Sequence, residues 1–294
     1  MMDATEIASR LIKAEKARAE IPQFTDLDPD IDVETAYAAQ WAFVQSKLDA
    51  GEQLAGAKLG LTSRAKQEAM GLAEPLYGWV TSGMITDYGE PLDRGSLIHP
   101  RAEPEIALLL GRDVTAPATV SSVLAATDAV FAAVDILDSR YRDFRFALPD
   151  VIADNASGGR VVLGPQPRRP AELVDLRLLG CVLRTGGEVA ATAAGAATMG
   201  HPAAAVAWLA NRLGARGLSL RAGWLVLSGG LTAPVPLEPG TAVAAEFDGL
   251  GSIEVYCVLL IVRVMQRPAA IAGPYYLHRP LAPAPRPALA DRLA

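Results

Sequence analysis

The sequence predicts an α+β fold, a β-rich domain entered through a helical N-terminal part. Three observations carry that expectation. Apolar residues at helical spacing occupy residues 4–20 and 33–50, and short β-type runs separated by Gly, Pro and Asp take over from about Ala55. Only two later segments, 120–128 and 201–216, interrupt those runs as helices, which argues against alternating βαβ units.

From the N-terminus, the first helix is amphipathic with mixed charges. The second is entered through Asp30 and Asp32, whose side chains can cap exposed amides, and is closed by Gly51. The β-type runs that follow are AGAKLGLT, YGWVTSGMI, EIALLLG, VFAAVDIL, GRVVLG, LRLLGCVLRT, GEVAAT, GWLVLSGGL, AVAAEF and SIEVYCVLLIVRV. Helix 201–216 has Pro202 in its first turn, where no amide partner is lost, and a structural stripe of Val206, Leu209 and Leu213. Beyond about Met265 the chain is rich in Pro and Ala, a composition of extended, weakly ordered chain. The expected organisation is a helical part over 1–54, a β-rich catalytic domain over 55–265 and a tail over 266–294. No internal repeat is present.

Of 294 residues, 51% are hydrophobic and 20% charged, enough apolar material for one large core. A net charge of -6 with dispersed Lys and Arg argues against nucleic-acid or anionic-membrane surfaces, while a local basic cluster still permits a small anionic substrate. Cys181 and Cys257 each lie inside an apolar run and read as reduced core thiols, which excludes a disulfide framework or a cysteine zinc site. The N-terminus lacks the apolar stretch of a secretory signal, and the run from Val255 to Val262 is far shorter than the roughly 20 residues of a membrane helix. A cytoplasmic location is expected.

The chemistry concentrates in acidic residues. In RAEPEIALLLG, Glu103 and Glu105 sit two apart at the head of a strand-like run, so both carboxylates point to one face. Pro104 cannot donate to a ladder, which places it at a strand start or edge beside a cavity. Two such carboxylates repel and lose hydration unless a cation lies between them; the bland alternative is a pair of solvated glutamates. In VFAAVDILDSRYRDF, alternation sets Phe131, Ala133 and Asp135 on one face, and an Asp inside so apolar a strand needs a partner. Three acidic oxygens suit Mg²⁺ or Mn²⁺. His99 and His201 each precede proline and His278 lies in the tail, so no paired histidine ligand set exists; GxGxxG, P-loop and GxSxG motifs are also absent.

Five motifs in order then carry a resemblance: AKLGLTSRAKQEAMG at 57–71, HPRAEPEIA at 99–107, DSRYRDFRF with LPDVIADNAS across 138–157, GHPAAAVAWLANRLG at 200–214 and LSGGLTAPVPL at 227–237. The chain resembles the 2-oxopent-4-enoate hydratase and 4-oxalocrotonate decarboxylase family of the fumarylacetoacetate hydrolase superfamily, over about residues 5–256. The resemblance implies a mixed β-roll with a helical N-terminal part, a Mg²⁺ or Mn²⁺ ion and a role in meta-cleavage degradation of aromatic compounds. The family's metal-binding glutamates match Glu103 and Glu105. Its third ligand, usually glutamate, is Asp135 here, one methylene shorter. The family's active-site lysine matches Lys58.

The resemblance also frames the choice of reaction. Family hydratases carry an acidic residue in a QPDFG-like segment, and the matching EPLYG has Leu76 at that position, which cannot activate water. The expected activity is therefore decarboxylation of 2-oxo-3-hexenedioate, with the hydratase reaction and a non-catalytic partner subunit as alternatives. Lys58 would bind substrate charge or manage a proton. Arg140, Arg142 and Arg145 would meet a dianionic substrate, or instead pair with Asp138 and Asp143 to hold a loop. Ser157 and Ser228, in Gly-rich loops, would receive a carboxylate, although Gly229 and Gly230 also serve simply to turn the chain. A homo-oligomer and a complex with a cognate hydratase complete the expectation.

Overall fold

The structure is a computed structural model that describes residues 2–64, 67–68 and 74–259. The expected tail, His278 and the end of the last apolar run lie outside these residues. Helix α1 (Ala4–Ala17) is capped by the Asp3 carboxylate, which accepts from the Glu6 amide at 2.8 Å, and buries Ile7, Ala8, Leu11 and Ala14. It stops three residues short of the expected end because Arg18 turns left-handed. Helix α2 (Val33–Asp49) is capped by Asp32 rather than Asp30 and buries Tyr37, Gln40, Trp41, Phe43 and Val44. Both helices feed the same apolar core as the β-rich part, each large buried side chain contributing roughly 1.5–3 kcal/mol.

The strands are β1 (Leu54–Gly60), β2 (Leu76–Thr81), β3 (Ile85–Thr86), β4 (Leu92–Asp93), β5 (Arg101–Leu110), β6 (Thr127–Leu137), β7 (Gly158–Leu163), β8 (Gly180–Thr185), β9 (Glu188–Ala194), β10 (Leu225–Leu227), β11 (Val235–Pro236), β12 (Ala242–Phe247) and β13 (Gly251–Val258). One sheet runs β2-β1-β10-β5-β6-β7-β3 with β11 also on β5; the other runs β4-β13-β12-β8-β9. Helix α3 (Val120–Ala126) enters β6 directly, α4 (Leu148–Ala153) was not legible from spacing, and α5 (Pro202–Gly214) is the expected Pro202 helix. Cys181 and Cys257 are buried free thiols. Among the described residues no helix is long and apolar enough to cross a membrane.

The central strands β5 and β6 are buried on both faces, which is why they read as continuous apolar runs. One face, with Ile106, Leu108, Val134 and Ile136, joins the main core. The other, with Ala107, Phe131 and Ala133, packs with Leu225 and Leu227 of β10 in a smaller cluster. By strand parity Glu103, Glu105 and Asp135 share this second face and extend the cluster with charge.

Candidate active site

The site is built by register. In the antiparallel β5–β6 ladder Glu103 stands directly opposite Asp135, with Glu105 two residues further along β5. One carboxylate oxygen from each lies within 4.8 Å of the others, and the residues are 6%, 0% and 0% exposed respectively. Pro104 between them is inside β5, a correction to the strand-start expectation. Its carbonyl accepts from the Leu231 amide at 2.9 Å, so its nitrogen faces the segment where the neighbouring β10 has ended and β11 has not begun. The missing donor costs no ladder bond there.

Burial pushes the Glu105 carboxyl well above the usual carboxylate range, and the charges of Asp135 and then Glu103 push it further; Lys58 and the Gly229 amide oppose them. The Gly229 N–H donates to Glu105 Oε2 at 2.6 Å, while Oε1 is buried without a hydrogen-bond partner among the described residues. Lys58, 1% exposed on β1, places Nζ 2.5 Å from Asp135 Oδ2 and donates to the Ala156 carbonyl at 2.9 Å. The Lys58 ammonium thus meets a group of three buried carboxyls, and among the described residues one oxygen of Glu105 has no hydrogen-bond partner. A hard divalent cation with oxygen preference fits that donor set.

The loop after β10 closes over the acids at contact distance. A β-carbon on Gly230 would lie 2.1 Å from Glu103 Oε2, and one on Gly229 2.0 Å from Thr62 Oγ1. These glycines therefore serve close approach, and Gly229, at φ 110°, also serves the turn. Among the described residues, neither the hydroxyl of Ser228, fully buried in this loop, nor that of Thr62 has a hydrogen-bond partner. Thr62 is a neighbour of the site that sequence reading passed over, although it stands inside the KLGLTS motif.

The remaining candidates lie in other settings. The buried Arg140 guanidinium is spent on its own loop: Nε pairs with the Asp154 carboxylate, Nη1 donates to the Gly158 carbonyl at 3.0 Å and Nη2 to the Asp154 carbonyl at 2.5 Å. The loop-holding alternative expected Asp138 and Asp143 as its partners, but Asp138 instead accepts from the Ile98 and His99 amides. Arg142 and Arg145 are exposed. Ser157 is buried with its hydroxyl 3.4 Å from Asp154 Oδ2. Leu76, 1% exposed, stands opposite Gly60 in the β1–β2 ladder. His201 caps α5, its Nδ1 accepting from the Ala203 amide at 3.0 Å, and His99 Nδ1 lies 2.6 Å from Glu20.

Comparison with known proteins adds four findings. Residues 56–258 match the family described as Fumarylacetoacetate (FAA) hydrolase C-terminal. The chain is 41% identical over 248 residues to a 4-oxalocrotonate decarboxylase of Pseudomonas sp. strain CF600, spanning 84% of this chain and 94% of the relative. It is 40% identical over 259 residues to a 2-keto-4-pentenoate hydratase of Burkholderia vietnamiensis, spanning 86% and 98%. Among solved structures, 4-oxalocrotonate decarboxylase from Pseudomonas putida G7, complexed with magnesium and adipate, superposes with a TM-score of 0.84 at 37% identity, over 87% of this chain and 97% of that one.

Proposed function

The chain belongs to the fumarylacetoacetate hydrolase family, and from that premise we propose that it decarboxylates 2-oxo-3-hexenedioate to 2-hydroxypenta-2,4-dienoate and carbon dioxide in the meta-cleavage degradation of aromatic compounds. The observation that carries the reading is the buried group of Glu103, Glu105 and Asp135 with Lys58 on Asp135. The three carboxylates would hold Mg²⁺ or Mn²⁺. When bound, such an ion supplies Lewis-acid polarisation of a 2-oxo acid. The relative from Pseudomonas putida G7 was solved with magnesium and adipate, a dicarboxylate with the same number of carbons as the proposed substrate.

In this reaction the C5–C6 bond breaks and C6 leaves as carbon dioxide. The electron pair moves through C4 and C3 to the C2 oxygen, where one proton completes the dienol. Lys58 holds a proton at Nζ and supplies positive charge where negative charge develops, in a site that excludes water. Ser228, whose buried hydroxyl has no hydrogen-bond partner among the described residues, is the donor for a substrate carboxylate, while the Ser157 hydroxyl lies on Asp154 and its share in the proposal is to fix the turn. Arg142 and Arg145, exposed, would steer the dianion; Arg140 would act only through the loop it holds. A homo-oligomer and association with a cognate hydratase are further parts of the proposal.

The second reading, hydration of 2-hydroxypenta-2,4-dienoate, draws on the 40% identity to the Burkholderia vietnamiensis hydratase. Leu76 weighs against it, because an apolar, buried side chain at that position brings no carboxylate to activate water. The two compounds assayed side by side with Mg²⁺ separate the readings. Carbon dioxide release with the ultraviolet band of the dienol is the expected result; formation of 4-hydroxy-2-oxopentanoate without decarboxylation would establish the hydratase.

A further inference from the structure

The turn after α4 has an unusual backbone. Asn155, Ala156 and Ser157 all adopt left-handed conformations, at φ of 52°, 54° and 52°, although none is glycine. L-residues avoid this region, so the surroundings must impose it. The Asn155 carboxamide pairs with β2 as another strand would: the Trp79 amide donates to Oδ1 at 2.7 Å, and Nδ2 donates to the Trp79 carbonyl at 2.9 Å. Arg140 brackets the turn by donating to the carbonyls of Asp154 and Gly158. Gly78 leaves the space the turn fills, since a β-carbon there would lie 2.7 Å from the Asn155 carbonyl oxygen.

Gly78 is also the register partner of Lys58 across β1–β2. The turn therefore lies over the strand pair that carries the lysine, and its left-handed backbone presents the Ala156 carbonyl to Lys58 Nζ at 2.9 Å. An ammonium has three N–H donors. One goes to the Ala156 carbonyl, and Nζ stands 2.5 Å from Asp135 Oδ2 as an ion pair, so carbonyl and carboxylate together fix where the ammonium sits.

We propose that the Asn155–Ser157 turn, admitted by Gly78, is a cradle that aims Lys58, with Asn155 as its positioning residue. The proposal rests on the reading above that Lys58 takes part in the reaction. Asn155 then acts on turnover through Lys58, and leaves the capture of metal and substrate alone.

The test measures kcat and KM on 2-oxo-3-hexenedioate with Mg²⁺, together with calorimetric affinity of the magnesium-loaded protein for adipate. Asn155→Gly tolerates the left-handed backbone but loses both bonds to Trp79. It should lower kcat by ~10–100-fold with KM and adipate affinity changed by less than about twofold. Gly78→Ala should give the same split by pushing the turn away, and if one variant does not fold the other carries the test. Each, combined with Lys58→Ala, should add little to the loss from Lys58→Ala alone. An unchanged kcat, parallel losses of kcat and binding, or fully additive losses would each overturn the cradle. Full kcat in Lys58→Ala would overturn the reading of Lys58 itself, a separate failure.

Discussion

Arg140 and Asp154 are as deeply buried as Glu105 and Asp135, yet the two charged groups are built on opposite terms. Around Arg140 each nitrogen has an acceptor, with Asp154 supplying a carboxylate and a carbonyl and Gly158 a second carbonyl. Around Glu105 three buried carboxyls crowd together beside Lys58, and among the described residues one Glu105 oxygen has no hydrogen-bond partner. The first group is complete within the chain, and so its work is to hold a loop. The second brings like charges together, an arrangement that a bound cation would relieve.

The largest expected effect comes from altering the acidic group. Glu105→Gln should reduce turnover by ~10⁴-fold or more, since metal-ion stabilisation is worth several kcal/mol, and should abolish calorimetric binding of Mn²⁺. The metal-free protein should stay folded, because the substitution relieves repulsion with Asp135 and Glu103. Retained turnover would move the site elsewhere. Arg140→Met should do the reverse and lower stability by about 3–5 kcal/mol in urea titration, as expected when a buried pair loses one member. A loss below 1 kcal/mol would mean the two groups differ less than their geometry says.

Metal should sharpen the contrast. At one hundred times its dissociation constant, Mg²⁺ should raise the unfolding free energy of the unsubstituted protein by about 2.7 kcal/mol, and that of Glu105→Gln not at all. The most gradual effect is in pH. Burial, with a contribution from Asp138 and against the pull of Arg140, pushes the Asp154 carboxyl up to about 6 from 3.8. A raised folded pKa means the native state binds this proton more tightly. The stability it contributes is fully present below 3.8 and is lost as pH rises through about 6. Between those values Asp154 should therefore add up to about 1.4 kcal/mol for each pH unit of acidification. Comparing thermal unfolding at several pH values with that of Asp154→Asn isolates this slope; equal slopes would remove it.

The two groups also differed in how far the sequence revealed them. Strand alternation put Glu103, Glu105 and Asp135 on common faces, because a period of two is fixed by covalent geometry. Alternation could not supply the register that sets Glu103 opposite Asp135, which depends on pairing between strands. Lys58 came from family resemblance alone, since a lysine in a strand is ordinarily a surface residue. For Arg140 the nearby acids Asp138 and Asp143 were the natural partners, but the true one, Asp154, lies beyond an unforeseen helix. Three successive left-handed residues without glycine leave no mark on composition or periodicity. Gly78 was the one visible sign of them, and its meaning appears only when the turn is seen lying against it.

Pro104 bears on kinetics as well as placement. Ligands on a strand can part when the ladder frays, and a bound ion then escapes at the rate of local opening. Between Glu103 and Glu105 the proline ring restrains φ, and the bond its carbonyl accepts from the Leu231 amide ties this stretch of β5 to the loop after β10. Release of a cation would then be timed by rotation of the two glutamate side chains, so the dwell time of the metal should be nearly the same in water and in denaturant too dilute to unfold the protein.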